Sequence, residues 1–168
     1  MINVEVEEIK TDGYPIIYGE LGEGHDKTLT FYNHYDVQPE DPIDHWKSPP
    51  FEASIREGKI FARGVADNKG NLIARICAVH AYQQIYGKVP INLKFIFEGE
   101  EEVGSPHLEF FAKEHPNKLK TNGIIWEGGS REVESKRPHI GLGVKGICYV
   151  ELTCKGANMD LHSSEAAI

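Results

Sequence analysis

Cysteine is scarce in this chain: three in 168 residues, Cys77, Cys148 and Cys154. They form no spaced framework, which excludes a disulfide scaffold and leaves reduced, buried thiols in a cytoplasmic protein as the expectation. Long apolar runs are also missing. Nothing approaches the ~20 residues of a membrane-crossing helix. Positive charge is in deficit, with 18 Lys and Arg against 26 Asp and Glu and a net charge of −8. That balance argues against nucleic acid or an anionic membrane as partner. The first residues, Met1 to Glu8, are acidic and lack the pattern of a signal peptide. No internal repeat or low-complexity tract occurs. What is present is ordinary for a globular domain: 40% hydrophobic and 26% charged residues, and enough length for one core.

The order of apolar periods sets the fold class. Val4 to Tyr18 alternates loosely and reads as one or two strands, and Leu21 to Lys27 reads as a turn. Thr28 to Tyr32 is β-rich. Pro39 to Pro50 holds four of the nine prolines and predicts a loop, which Trp46 and Phe51 would pin to the body. Lys59 to Ala62 predicts a short strand. A helix follows over roughly Asn71 to Tyr86, with Leu72, Ile76 and Val79 on one stripe and Ile73, Cys77 and His80 beside it. Gly87 and Pro90 would end it. Ile91, Leu93, Phe95 and Phe97 alternate with Asn92 and Lys94, a strand with one buried face. Ser105 is placed to cap a second helix with Pro106 in its first turn, ending near His115-Pro116. Gly123 to Trp126 reads as another short strand, and Arg131 to Pro138 as a charged loop.

From Gly146 the texture changes. Cys148, Val150, Leu152 and Cys154 alternate with Tyr149, Glu151, Thr153 and Lys155, predicting a half-exposed strand of an antiparallel sheet. The boundary falls near Gly143, dividing residues 1–143 from 144–168. The alternation of strands and helices up to residue 127 predicts an α/β domain of three layers, α/β/α.

Ligands of such sheets sit at the carboxyl ends of the strands. His34 and Asp36, Asp67, Glu101 and Glu102, and Glu127 all fall at or just beyond such ends. Between Glu98 and Glu102, four carboxylates occupy five positions. Like charges so close raise one another's pKa unless something positive sits among them. A divalent metal site accounts for all of these clusters at once. Imidazole and carboxylate are the usual ligands of zinc, manganese and cobalt in hydrolases. His34 offers a ring nitrogen, and Asp36 can bond the other and fix the tautomer. Asp67 can bridge two ions, which in two-metal hydrolases lie about 3.5–4 Å apart. Glu102 and Glu127 would each bind one ion. Glu101 would be the free carboxylate that takes a proton from a metal-activated water and hands it to the leaving amine. His25, His45, His80, His107, His115 and His139 are read as structural or surface residues. Gly141 to Gly146 matches a dinucleotide-binding fingerprint by letter, but a strand-like run follows where a helix is required.

Three motifs occur in order: Tyr32-Asn33-His34-Tyr35-Asp36-Val37-Gln38-Pro39, Ala62-Arg63-Gly64-Val65-Ala66-Asp67-Asn68-Lys69-Gly70, and Glu98-Gly99-Glu100-Glu101-Glu102-Val103-Gly104-Ser105. Together they resemble the co-catalytic metallopeptidase family that includes glutamate carboxypeptidase, aminoacylase and the carnosine-type dipeptidases, over about residues 28 to 165. The His-x-Asp-Val-Gln-Pro form is most similar to the dipeptidase branch. The resemblance implies that His34 and Glu102 are terminal metal ligands, Asp67 the bridge, Glu101 the general acid/base and Asp36 the orienting residue, with Glu127 where the family has an acidic ligand. Asp160-Leu161-His162-Ser163 is similar to a segment of the family's smaller lid domain, whose histidine holds the substrate carbonyl across a dimer. That family has a glycine where this chain has Ser164. The implied assembly is a zinc-peptidase-like catalytic domain over 1–143, followed by the start of an inserted α+β lid or dimerisation domain. The implied activity is hydrolysis of amide bonds in dipeptides or short peptides, with two divalent ions, zinc first and manganese or cobalt as alternatives, in a homodimer. N-acyl amino acid deacylation uses the same metal site and is the alternative chemistry. The family's second ligand histidine lies downstream of residue 168, so a truncated, non-catalytic binding or dimerising module is the alternative of a different class.

Overall fold

In the computed structural model, all residues are described except 1, 3, 23, 129, 132–133, 157–161, 163 and 165–168. Five strands form the main sheet: β1 (Glu5–Ile9), β2 (Ile16–Leu21), β3 (Thr28–His34), β6 (Asn92–Glu98) and β7 (Gly123–Trp126), in the order β1-β2-β6-β3-β7. The strands β6, β3 and β7 run parallel, and β2 and β1 close one side antiparallel. A separate hairpin pairs β4 (Ser54–Arg56) with β5 (Lys59–Phe61). Its two turn residues, Glu57 and Gly58, both have positive φ, the backbone twist that two-residue hairpins require.

The two helices lie on opposite faces of the sheet. Strand alternation sends Leu29, Phe31, Leu93, Phe95 and Phe97 to one face, where α1 (Gly70–Tyr86) covers them through Val79. Tyr18, Tyr32 and Ile96 point the other way, against Leu108 and the fully buried Phe111 of α2 (Leu108–Glu114). This is the α/β/α arrangement expected. Gly87 ends α1 with φ +83, a backbone region where a side chain would be strained, and donates its N–H to Gln83 O at 2.8 Å.

Several expectations are corrected. Strand β6 is buried on both faces, because helices cover both. Lys94 is 7% exposed, and its ammonium donates to Asn117 O at 2.8 Å and Lys120 O at 3.0 Å. Ser105 does not cap α2; that helix begins at Leu108, and the Ser105 hydroxyl donates to the Glu98 carboxylate at 2.8 Å, a charge-assisted bond. Trp46 does anchor the proline-rich loop, donating to Glu40 O at 2.7 Å, but Phe51 is exposed. Arg131 to Pro138 is not simply a loop: its ends pair as β8 (Ser130–Arg131) and β9 (Pro138–His139). The strand expected over 146–155 does not form. It finds no partner ladder among the described residues, and Cys148 and Cys154 are exposed, as is Cys77 on α1. The thiols are therefore unpaired but not buried.

Candidate metal centre

Three adjacent parallel strands deliver the site. In register, His34 at the end of β3 lies opposite Glu98 at the end of β6, and Tyr32 opposite Trp126 at the end of β7. Each strand then releases an acidic turn on the same side of the sheet. After β6 the chain runs through a short 3-10 turn, Glu101–Val103. After β7 it reaches Glu127, whose N–H donates to Tyr32 O at 3.0 Å. Asp67 comes from the tight turn between β5 and α1, Val65–Lys69, which opens on the left-handed Gly64 and contains a cis Asp67–Asn68 peptide bond.

His34 is the centre of the cluster and is wholly buried. Its Nδ1 lies 3.2 Å from Asp36 Oδ1, and its Nε2 lies 2.9 Å from Asp67 Oδ1 and 3.8 Å from Glu101 Oε2. Asp36 uses its other oxygen to accept the Glu102 N–H at 2.9 Å. One carboxylate thus fixes both the imidazole and the backbone of the acidic turn. Gln38 reinforces that turn, donating to Glu102 O at 3.1 Å and Glu102 Oε2 at 2.9 Å. Two sets of potential ligand atoms result, each within 4.8 Å of one another: His34, Asp67 and Glu102, and His34, Glu101 and Glu127.

The electrostatics are those of an acidic cluster in want of a cation. Burial holds the Glu101 carboxyl above its ordinary range, and the nearby Glu127 charge raises it further. Burial does the same to Glu127; His34 opposes the shift and Asp67 adds to it. For His34, burial pulls the pKa down, but the bond to Asp67 and the charges of Glu101, Asp36 and Glu127 prevail and raise it. Glu127 Oε1 is buried without a hydrogen-bond partner. An orphaned carboxylate oxygen beside imidazole and three further carboxylates is a donor set that fits a hard or borderline divalent ion.

The expected site residues therefore come together with one exception. His162 is exposed; its Nδ1 lies 2.8 Å from Ser164 Oγ and accepts the Ser164 N–H at 3.3 Å, and no described contact joins it to the cluster. Asp160, Leu161 and Ser163 lie outside the described residues.

The sequence reading missed the residues that hold the ligands in place. Glu98 is 2% exposed and takes a hydrogen bond from the Tyr32 hydroxyl as well as from Ser105, so it closes the acidic turn from below. Asn33 and Asn68, both buried, are bonded to each other and join the end of β3 to the Asp67 turn. Arg75 reaches from α1 to the ends of β3 and β7. A signal for it existed: Arg75 is the only charged residue of α1 and stands at helical spacing between Leu72 and Val79 on the stripe assigned to the core.

Comparison with known proteins identifies the family. The model of Peptidase family M20/M25/M40 matches residues 30–167. The Cys-Gly metallodipeptidase of Schizosaccharomyces pombe is 36% identical over 152 residues, which cover 89% of this chain and 32% of that protein. Human Beta-Ala-His dipeptidase is 36% identical over 151 residues, covering 89% of this chain and 30% of its own length. The chain thus spans about a third of the length of these curated relatives. Among solved structures, an M20 family metallo-carboxypeptidase from Sulfolobus solfataricus aligns with a TM-score of 0.74 at 44% identity, covering 78% of this chain and 30% of that one. Human carnosine dipeptidase 1 aligns with a TM-score of 0.66 at 34% identity, covering 73% and 29%. The family match takes in all three acidic motifs, and the chain belongs to Peptidase family M20/M25/M40.

Proposed function

We propose that this chain carries metal-binding residues of a dipeptidase, which hydrolyses the amide bond of dipeptides or short peptides with two divalent ions. The observation that carries the reading is the convergence of His34, Glu101, Glu102 and Glu127 from the ends of three parallel strands with Asp67 from the turn before α1. The names of the relatives, a Cys-Gly and a Beta-Ala-His dipeptidase, support the substrate class.

His34, Asp67, Glu102 and Glu127 would hold the ions. Zinc suits the mixed imidazole and carboxylate set, and manganese and cobalt suit it next. Bound there, such ions polarise a carbonyl oxygen and lower the pKa of a water. Asp36 would accept a hydrogen bond from the proton-bearing Nδ1 of His34 and so leave Nε2, the nitrogen that faces Asp67, to give its lone pair to an ion. Glu101 would take a proton on its carboxylate from the attacking water and return it to the departing amine. His162 would hold the substrate carbonyl from a lid domain that begins near residue 144, within a homodimer. Unpaired thiols at 77, 148 and 154 favour a reducing, cytoplasmic setting. Among the described residues no helix is long and apolar enough to cross a membrane.

The test is a substrate panel on the chain loaded with zinc, manganese or cobalt: β-Ala-His, Cys-Gly, longer peptides with a free carboxylate, and N-acetyl amino acids. Preferential release of amino acids from the two dipeptides is expected. Preference for the N-acetyl compounds would replace the reading with deacylation. Metal binding without turnover of any amide would leave a binding module.

A further inference from the structure

Arg75 touches none of the acidic side chains of the cluster by hydrogen bond, yet it ties together the backbone that presents them. One guanidinium nitrogen donates to Tyr32 O at 2.7 Å and to Asn33 Oδ1 at 2.5 Å. The other donates to Trp126 O at 3.1 Å and to Glu127 O. Its acceptors therefore come from the carboxyl ends of both β3 and β7. Through Asn33, which is bonded to Asn68, the same guanidinium is linked to the Asp67 turn. Glu127 itself has φ +22, a conformation that a residue with a Cβ adopts only when its surroundings hold it there. Its carbonyl is held by Arg75 and its N–H by Tyr32 O at 3.0 Å.

We propose that Arg75 is a positioning residue for the metal centre: its planar fork sets the spacing between His34 and Glu127, and so the affinity of the ion that Glu127 binds. The inference rests on the reading of Glu127 as a ligand. The planar geometry matters more than the charge. A lysine at this place could reach β3 or β7 but not bridge both with parallel N–H groups. Partners that orient ligands in this way are worth about 10–100-fold in metal affinity.

The experiment is calorimetric titration of the chain with cobalt(II), together with the visible absorption of the bound cobalt, on the native chain and on Arg75→Met, Arg75→Lys, Glu127→Gln and Arg75→Met/Glu127→Gln. Thermal unfolding of each metal-free protein confirms that it is folded at the titration temperature. The expected result is that Arg75→Met and Arg75→Lys both weaken one ion about 10–100-fold and leave the other unchanged. The ion affected is the one that Glu127→Gln weakens. The double substitution is expected to bind no worse than Glu127→Gln alone, because both act on one interaction. Losses that add in the double substitution, or that fall equally on both ions, would overturn the proposal and leave Arg75 a general stabiliser of the fold. Full affinity in Arg75→Lys would overturn it in favour of charge alone. No cobalt bound by the native chain, or no effect of Glu127→Gln, would instead overturn the reading of Glu127 on which the proposal stands.

Discussion

Among the acidic residues of the cluster, Glu101 is distinguished by what holds it. Glu102 is fixed at its N–H by Asp36 and at its carboxylate by Gln38, whereas Glu101 lies 3.8 Å from His34 Nε2 and is a third exposed. A carboxylate that moves protons needs that freedom; a ligand does not. Glu101→Gln keeps the shape and removes the basic oxygen. Turnover of a dipeptide by the metal-loaded chain should then fall about 10²–10⁴-fold, while calorimetry shows both ions still bound. Equal loss of metal and turnover would make Glu101 a ligand instead. Protons and metal compete for the same atoms. His34, Glu101 and Glu127 all hold protons to higher pH than usual in the metal-free state. Metal binding must displace those protons, so apparent affinity rises with pH. Because the His34 pKa is raised, the rise should continue above its ordinary value of about 6.5 before it flattens, which titration across a pH series would show. At this scale the ligand-type side chains were legible, since each follows a β-rich run. Their holders were not. Asn33, Asn68, Glu98 and Arg75 act through groups up to 66 residues away in sequence, as the Tyr32–Glu98 bond does, and no local pattern announces such pairing.

At the scale of elements, periodicity gave strands and helices wherever a segment's own residues decide its conformation. Helix α1 and strand β6 fall within one or two residues of expectation. Where a distant partner decides, the reading failed. Residues 146–155 alternate as a strand should, but alternation supplies no hydrogen bonds, and without a neighbouring ladder the segment stays irregular. Ser105 has the composition of a cap and is claimed by Glu98 across the turn. The β4 strand went unread because Ser54-Ile55-Arg56 is too short to show a period, although the Glu57-Gly58 turn pairs it with β5. The short helix α2 shows how much one contact can decide. It has seven residues and no side-chain cap, so its stability comes from packing, and Phe111 is its fully buried side chain. Phe111→Ala should cost about 3–5 kcal/mol in urea unfolding. Its neighbour Phe110 is half exposed, and Phe110→Ala should change stability by about 0.5 kcal/mol or less. Similar costs at both positions would mean that α2 does not dock on the sheet through Phe111.

For the molecule as a whole, the site and the fold are coupled through charge. The chain carries a net charge of −8, and its densest group of acids is gathered at one end of the sheet. Gathering these carboxylates costs free energy that only a cation returns, and the raised pKa values of Glu101 and Glu127 are the mark of that cost in the metal-free chain. The unfolded chain has no such convergence, so an ion that binds the folded cluster stabilises the fold by mass action. At a free metal concentration one hundred times the dissociation constant the gain is about 2.7 kcal/mol. Zinc or manganese should therefore raise the thermal midpoint of the chain, and a chelator should return it to the metal-free value. Asp67→Ala removes the carboxylate 2.9 Å from His34 Nε2 and with it one member of the proposed ligand set. In that variant the metal-dependent rise should vanish. The metal-free midpoint should stay level or increase, since an acid has left a cluster of like charges. Scanning calorimetry with and without chelator separates the two effects. A metal-dependent rise that survives Asp67→Ala would place the stabilising ion elsewhere on the molecule.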